Sequence, residues 1–332
     1  MLKTGACLIQ MPSFWYTYIV KENPSEIERL TDILVRFLDC AAKYVSDDVF
    51  ARLKEMQAQV QSSGGFQNGN GVLEQRMYGA MFANLEMAAR LDRPCCQDTG
   101  VVQFFAEAGT AFPYLAQLEN CLREAVRRAT VSVPLRPNVV EFFDEKNTGD
   151  NTGKRIPWID WELIPHSDSV RLYVYLAGGG CSLPGFAKVF TPLEGYERAI
   201  EAVFDSIVSL GPNACPPLLV GIGLAGQADT AAKLSKKALL RFIGTRNSNA
   251  KAAELEGKLL ESLNNIGMGP AGFSGAASVM AVHIEDAGRH TAALAAALST
   301  GCWVHRRALI EIRQDLSYEV LSHLREKVWN RP

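Results

Sequence analysis

Apolar positions return at helical spacing early in the chain. Residues 25–62 read as helices, because Leu30, Ile33, Leu34, Phe37 and Leu38 recur at intervals that share one face. The pattern breaks at Ser62-Ser63-Gly64-Gly65, and Gly69-Asn70-Gly71 extends the loop. A second helix is expected over 72–91, with Met77, Met81, Leu85 and Met87 to Ala89 on its apolar side. Pro94 cannot continue it. Val101 to Phe105 is a short apolar run and reads as a strand. A helix over 114–129 is closed by Leu135-Arg136-Pro137-Asn138. Glu141 to Trp161 is polar and irregular, and a loop that long in a compact domain is usually functional or mobile. Arg171 to Ala177 alternates as a strand and runs into Gly178-Gly179-Gly180-Cys181. Helices follow at 195–209, 228–241 and 251–265, with a buried strand at Leu218 to Ile222. Val279 to Ile284 and Ala292 to Leu298 are strand-like or short helical runs, and Ala308 to Ile312 is a last strand. Such a mixture suggests an α/β or α+β sandwich.

Composition narrows the function class. The 332 residues are 48% hydrophobic and 21% charged, with net charge −2 and a pI near 6.3. That is ordinary globular composition, sized for one large or two medium domains. Nothing in it argues for nucleic acid or an anionic membrane surface. No apolar run reaches the ~18 residues of a membrane helix. Residues 7–20 are apolar and aromatic, but Gln10, Pro12 and Ser13 interrupt them, and no small-residue cleavage site follows. Residues 1–24 are therefore expected to be an N-terminal extension, disordered or non-native, ahead of a domain over 25–332. Eight cysteines are too sparse for a disulfide scaffold. Without an export signal, reduced thiols in the cytoplasm are the expectation.

Several motifs admit two readings. Asp98-Thr99-Gly100 matches the aspartic-protease triplet, but that chemistry needs two carboxylates sharing a proton and the chain has one copy. The bland alternative is a turn closed by Gly100. Gly221-Ile222-Gly223-Leu224-Ala225-Gly226 follows a strand and opens a helix, as a dinucleotide fingerprint should. Arg246 lies where an NADP-type arginine could. Yet no acidic residue ends a second strand about 20 residues on, and tight strand-to-helix packing explains the glycines equally. Gly149-Asp150-Asn151-Thr152-Gly153-Lys154 has its glycines one residue too close for a P-loop. Gly178 to Gly180 could form an anion nest or simply pack closely. Cys96, Cys215 and Cys302 each sit in a loop beside polar residues or proline. Cys7, Cys40 and Cys121 lie in apolar or helical surroundings and read as inert, and Cys181 is ambiguous. Without a CxxC pair, three distant cysteines make poor zinc-finger material. Spacing alone leaves a three-thiolate metal site and a set of core thiols both open.

Arg93-Pro94-Cys95-Cys96-Gln97-Asp98-Thr99-Gly100, Asn213-Ala214-Cys215-Pro216-Pro217, Ser299-Thr300-Gly301-Cys302-Trp303 and the AGGGCSLPG run at 177–185 together resemble the α subunits of the class I iron–sulfur fumarase and tartrate dehydratase family. The likeness covers roughly residues 25–325. It implies a mixed α/β (α+β) fold of helices packed around a β-sheet, similar to the N-terminal domain of class I fumarases. It also implies a [4Fe–4S] cluster held by Cys96, Cys215 and Cys302, with one iron not ligated by protein and acting as a Lewis acid. Cys95 falls outside the pattern. Asp98 matches the family's acid/base carboxylate. Gln97, Arg136, Gly180 and His290 match positions that hold substrate, Arg136 being suited to a carboxylate fork. The implied activity is that of a hydro-lyase dehydrating L(+)-tartrate to oxaloacetate, with fumarate or another 2-hydroxy-dicarboxylate as the alternative. An NADP-dependent oxidoreductase and a non-catalytic iron–sulfur sensor are the readings from other classes. The single-chain fumarases carry a further domain, and this chain ends soon after its third cysteine motif. A separate β subunit in an α₂β₂ assembly is therefore expected.

Overall fold

A computed structural model of the protein describes residues 24–62 and 69–325. The expected extension over residues 1–24 thus lies outside the described residues, apart from Pro24, where the first helix begins. In chain order the elements are α1 (Pro24–Lys43), α2 (Asp47–Ser62), α3 (Gly69–Leu91), β1 (Val101–Gly109), α4 (Leu115–Ser132), β2 (Trp158–Ile164) and β3 (Val170–Ala177). Next come α5 (Gly179–Ser182), β4 (Phe186–Phe190), α6 (Gly195–Leu210), β5 (Leu218–Ala225), α7 (Ala228–Ala238) and α8 (Ala250–Asn264). The chain then forms β6 (Val279–Asp286), β7 (Leu294–Gly301), β8 (Arg307–Ile312) and β9 (Tyr318–Val320).

The expected mixed α+β fold is present, and its strands form two sheets, in the orders β2-β1-β3-β8-β9 and β4-β7-β5-β6. Each is antiparallel except for one parallel pair, β1 with β2 and β5 with β6. Side chains alternate across a strand, and the alternation decides what each face meets. Val102, Phe104, Ala106 and Ala108 of β1 join Leu172, Val174 and Leu176 of β3 in a core with α1 and α4. Phe105, Tyr175 and Ala177 turn the other way, into a second core with Leu219, Met280, Cys95, Cys181 and Cys302. The outer face of the second sheet puts Val220 and Ile222 of β5 against Val203 and Ile207 of α6 and Leu259 and Leu263 of α8.

Helix α7 fills the space between the sheets. A Cβ on Gly223 would sit 1.9 Å from the Ala231 carbonyl oxygen, and one on Gly221 2.3 Å from that of Ser235. Both glycines lie inside β5, where they admit the helix. Lys233 and Lys237 of α7 reach the first sheet, pairing with Asp160 and Glu162 at 2.6 Å each.

The irregular reading of Glu141 to Trp161 fails at its end, where β2 begins. This edge strand is half exposed along its length, so burial imposes no alternation on it. The short edge strands β4 and β9 escape for the same reason. The two ambiguous runs at 279–284 and 292–298 become β6 and β7, because β5 is there to pair with both.

Candidate active site

Three cysteine loops meet at one end of the second sheet. Antiparallel pairing puts Leu219 opposite Gly301. The end of β7 therefore delivers Cys302 beside the start of β5, which Cys215 precedes. The Trp303 N–H donates to the Cys215 carbonyl at 3.1 Å and ties the two loops. Cys215 is exposed and holds a left-handed backbone, φ 56°. The third loop, between α3 and β1, is anchored by Cys95, whose N–H and Sγ both bind the Ala42 carbonyl, at 3.0 and 3.2 Å. Asn84 Nδ2 closes on the Cys95 carbonyl at 2.8 Å. Cys95 is thus a buried strut, and burial pushes its thiol up to about 12. The next residue, Cys96, is only half buried.

Charge couples these sulfurs. Burial raises Cys96 while the Arg306 guanidinium pulls it back. Burial also raises Cys215, with the negative charges of Cys302, Cys96 and Asp98 adding to the effect. Cys302 hydrogen-bonds Cys181, and in that pair Cys302 is pushed up and Cys181 pulled down. Arg306, 2% exposed, donates from Nη1 to the Asp98 carbonyl. Burial works against its charge, and Cys302, Cys95, Cys96 and Asp98 outweigh that and hold the proton on.

Asp98 is fixed at both oxygens. Oδ1 accepts from the Gly100 N–H at 3.0 Å and from Asn138 Nδ2 at 3.1 Å. Oδ2 accepts from the Gly179 N–H at 2.8 Å. The turn expected of Asp-Thr-Gly is therefore present, and it holds a carboxylate at the site as well. Gly100, at φ +79°, leaves no room for a side chain, since its Cβ would lie 2.8 Å from the backbone of Leu176 and Ala177. Gly180 packs so that a Cβ would meet the Asn213 carbonyl oxygen at 2.8 Å, two residues before Cys215. The Thr99 hydroxyl accepts from the Arg136 N–H at 2.9 Å. The buried Asn151 donates to the Arg136 carbonyl at 3.2 Å and accepts from the Asn138 N–H at 2.8 Å. The long loop thereby braces Arg136, whose side chain is exposed, as is that of Gln97.

His290 is not brought to this place. It lies in the β6–β7 loop, where a Cβ on Gly226 would meet its N–H nitrogen at 3.1 Å. Ala225, just before Gly226, pairs with Ala295 at the opposite end of the β5–β7 ladder from Leu219 and Gly301. Six residue steps separate those ends, roughly 20 Å along a strand. The residues that sequence reasoning missed are Asn138 and Arg306; it weighed Gly179 as part of an anion nest and left Cys181 ambiguous. Asn138 acts through local geometry that leaves no sequence signal, whereas the Gly179 N–H meets the Asp98 carboxylate, as the nest reading allowed. Arg306 had a signal: two arginines inside an apolar run, at 306 and 307.

A fumarate hydratase (Fumerase) family model matches residues 31–311. The chain belongs to the fumarate hydratase family. It is 48% identical over 299 residues, covering 90% of this chain and 96% of the relative, to L(+)-tartrate dehydratase subunit alpha of Escherichia coli strain K12. The same figures hold for L(+)-tartrate dehydratase subunit alpha of Shigella sonnei strain Ss046. A relative from Methanocaldococcus jannaschii is 34% identical over 290 residues, 86% of this chain and 99% of the relative.

This fumarate hydratase family member is a hydro-lyase, in a family known for iron–sulfur enzymes. Among the described residues, no three His, Cys, Asp or Glu side chains converge as a single metal ion requires. A multi-iron group differs, because it spreads its thiolates around a larger body. The donor set suits such a group. Three sulfurs on three stitched loops feel one another's charge, and a buried guanidinium beside them has an Nε with no partner. The dinucleotide reading of Gly221 to Gly226 loses its basis in this fumarate hydratase fold. Its first two glycines sit within β5 and are filled by α7, not in the turn that would face a pyrophosphate. No helix among the described residues is long and apolar enough to cross a membrane.

Proposed function

We propose that the protein is the α subunit of an iron–sulfur hydro-lyase that dehydrates L(+)-tartrate to oxaloacetate. Cys96, Cys215 and Cys302 would hold a [4Fe–4S] cluster with one iron left without a protein ligand. When bound, such a group supplies a Lewis acid for the departing hydroxyl. The observation that carries the reading is the meeting of three cysteine loops, Asp98 and a buried arginine at one sheet end. The relatives named L(+)-tartrate dehydratase subunit alpha support the choice of substrate.

The chain's own residues then divide the work. A carboxylate offers about four acceptor sites, and Asp98 uses three of them on Gly100, Asn138 and Gly179. Its free site on Oδ2 can exchange a proton with substrate while the other three bonds fix its aim. Arg136 presents a planar fork to one substrate carboxylate. Gln97 and the backbone at Gly180 line the same mouth. His290, a strand length away, can reach such a site only from a second copy of the chain.

Leu183, Phe273, Phe142 and Phe143 are exposed apolar side chains, the last two 88% and 93% exposed, and Leu183 and Phe142 follow in sequence the Gly179 and Asn138 that hold Asp98. Apolar groups left bare around a polar site suit coverage by another subunit. The word "alpha" in the relatives' names points the same way, and we place the protein in an α₂β₂ assembly with a β subunit. The seven described cysteines are all free thiols, which suits the reducing cytoplasm. The family description itself favours one second reading, fumarate hydration. The test is anaerobic reconstitution with iron and sulfide, followed by turnover of tartrate, malate and fumarate, with and without the β partner. Tartrate turnover is expected only with the partner. Full turnover by this chain alone would refute the two-subunit reading, and preference for malate or fumarate would move the assignment to the second substrate.

A further inference from the structure

Arg306 is 2% exposed and sits where the three cysteine loops meet. Burying a guanidinium costs free energy unless an anion and hydrogen bonds compensate it. Its compensation in the chain is incomplete. Nη1 donates to the Asp98 carbonyl, and Nε has no partner. Arg307, next in sequence, also has an Nε without a partner. What separates the two is a carboxylate: Asp48 closes on Arg307 at 2.5 Å. Among the described residues, no carboxylate comes within ion-pair distance of Arg306. Asp98, its nearest acidic neighbour, directs its oxygens to Gly100, Gly179 and Asn138 instead. Besides Asp98, the groups whose negative charge bears on Arg306 are sulfurs, at Cys302, Cys95 and Cys96. Cys95 is spent on Ala42, with its thiol pushed up to about 12. That leaves the thiolates assigned above to metal binding.

We propose that Arg306 is the resident countercharge of the iron–sulfur group, a buried cation left without a carboxylate so that the anionic cluster and its thiolates complete it. The inference rests on the cluster reading. It adds that Arg306 is incompletely partnered in the apo chain, with its Nε free, and that cluster binding supplies the missing anion. Arg306 also fixes the Asp98 backbone, so it positions the proposed acid/base group without touching substrate.

A strut and a countercharge respond differently when the charge is removed. Full-length wild type, Arg306→Met, Arg306→Lys and Arg306→Gln are compared as apo proteins by thermal unfolding. They are compared again after anaerobic reconstitution by iron and sulfide content, iron release to a chelator and the potential of cluster reduction. The expected pattern changes sign. Arg306→Met leaves the apo midpoint unchanged or higher, because an unpaired buried charge is gone. Yet it releases iron about 10–100-fold faster, as removal of an outer-sphere partner does, and its cluster is reduced at more negative potential. Arg306→Lys, which keeps the charge, stays near wild type, and Arg306→Gln, which keeps hydrogen bonding only, follows Arg306→Met. If Arg306→Met does not fold, the contrast between Lys and Gln decides. Equal destabilisation of apo and loaded protein, or a neutral variant with wild-type iron retention and potential, would overturn the proposal. A wild-type chain that takes up no cluster would instead bring down the reading beneath it.

Discussion

Arg306 and Arg307 are consecutive and both buried, yet they serve different regions. Arg307 belongs to the structural interior. It pairs with Asp48 at the start of α2, donates to the Leu240 carbonyl at 3.2 Å and stacks 4.6 Å from the Phe242 ring. Asp48 in turn accepts from the Ile243 N–H at 2.7 Å. Burial alone would raise Asp48, but Arg307 and these donors bring it below the usual carboxylate range. Arg306, just ahead of β8, reaches the Asp98 carbonyl among the cysteine loops, where polar groups are held but charge is left open. A region that serves only the fold closes its charges within the chain. A region that receives a ligand leaves some for the ligand to close.

The comparison breaks most completely at the cysteines. Cys96→Ser, Cys215→Ser and Cys302→Ser are each expected to abolish the iron–sulfur chromophore, whereas Cys40→Ser and Cys121→Ser keep it. Anaerobic iron and sulfide analysis reads this, and full cluster content in any of the first three would remove that residue from the ligand set. Next in size is Asp98→Asn, expected to keep the cluster and lose about 10²–10⁴-fold in turnover. Near-normal turnover would reduce Asp98 to its turn.

Arg307→Met sharpens the other side of the comparison. It leaves Asp48 buried without its cation, which costs about 3–5 kcal/mol, and the loss should be equal with and without cluster. A chemical-denaturation series on both forms checks this. A difference confined to the loaded form would place Arg307 at the site.

Acid should weaken the Arg307 region first. Burial is the leading cause that lowers His283 to about 4, His323 to about 4 and His305 to about 3. These histidines are neutral when folded, and unfolding lets them take a proton. The stability they contribute is full above the unfolded value near 6.5 and is lost as pH falls from there toward 4 and then 3. A pH series of unfolding midpoints that stays flat between 6.5 and 4 would contradict that. The smallest effect is expected from Cys181→Ser, which removes a hydrogen-bond partner of Cys302 but no proposed ligand. Cluster content should be retained, and its loss would add Cys181 to the ligand set.

Much of the architecture was legible because burial writes itself into sequence as a period. Leu30, Leu34, Phe37 and Leu38 had to share a helix face, and Leu172, Val174 and Leu176 a strand face. The motif resemblance named three cysteine loops and Asp98 on residue types alone. What sequence could not carry is anything set by pairing between distant segments. The division into two sheets depends on which strands find each other. The edge strands β2, β4 and β9 bury too little to leave a pattern. The meeting of Cys215 with Cys302 follows from antiparallel register, and the same register carries His290 to the far end of the ladder. The adjacent arginines make the limit plainest. The letters at 306 and 307 are identical, and the folded chain, with Arg306 just ahead of β8 and Arg307 opening it, sends Arg307 to Asp48 and Arg306 to the cysteine loops.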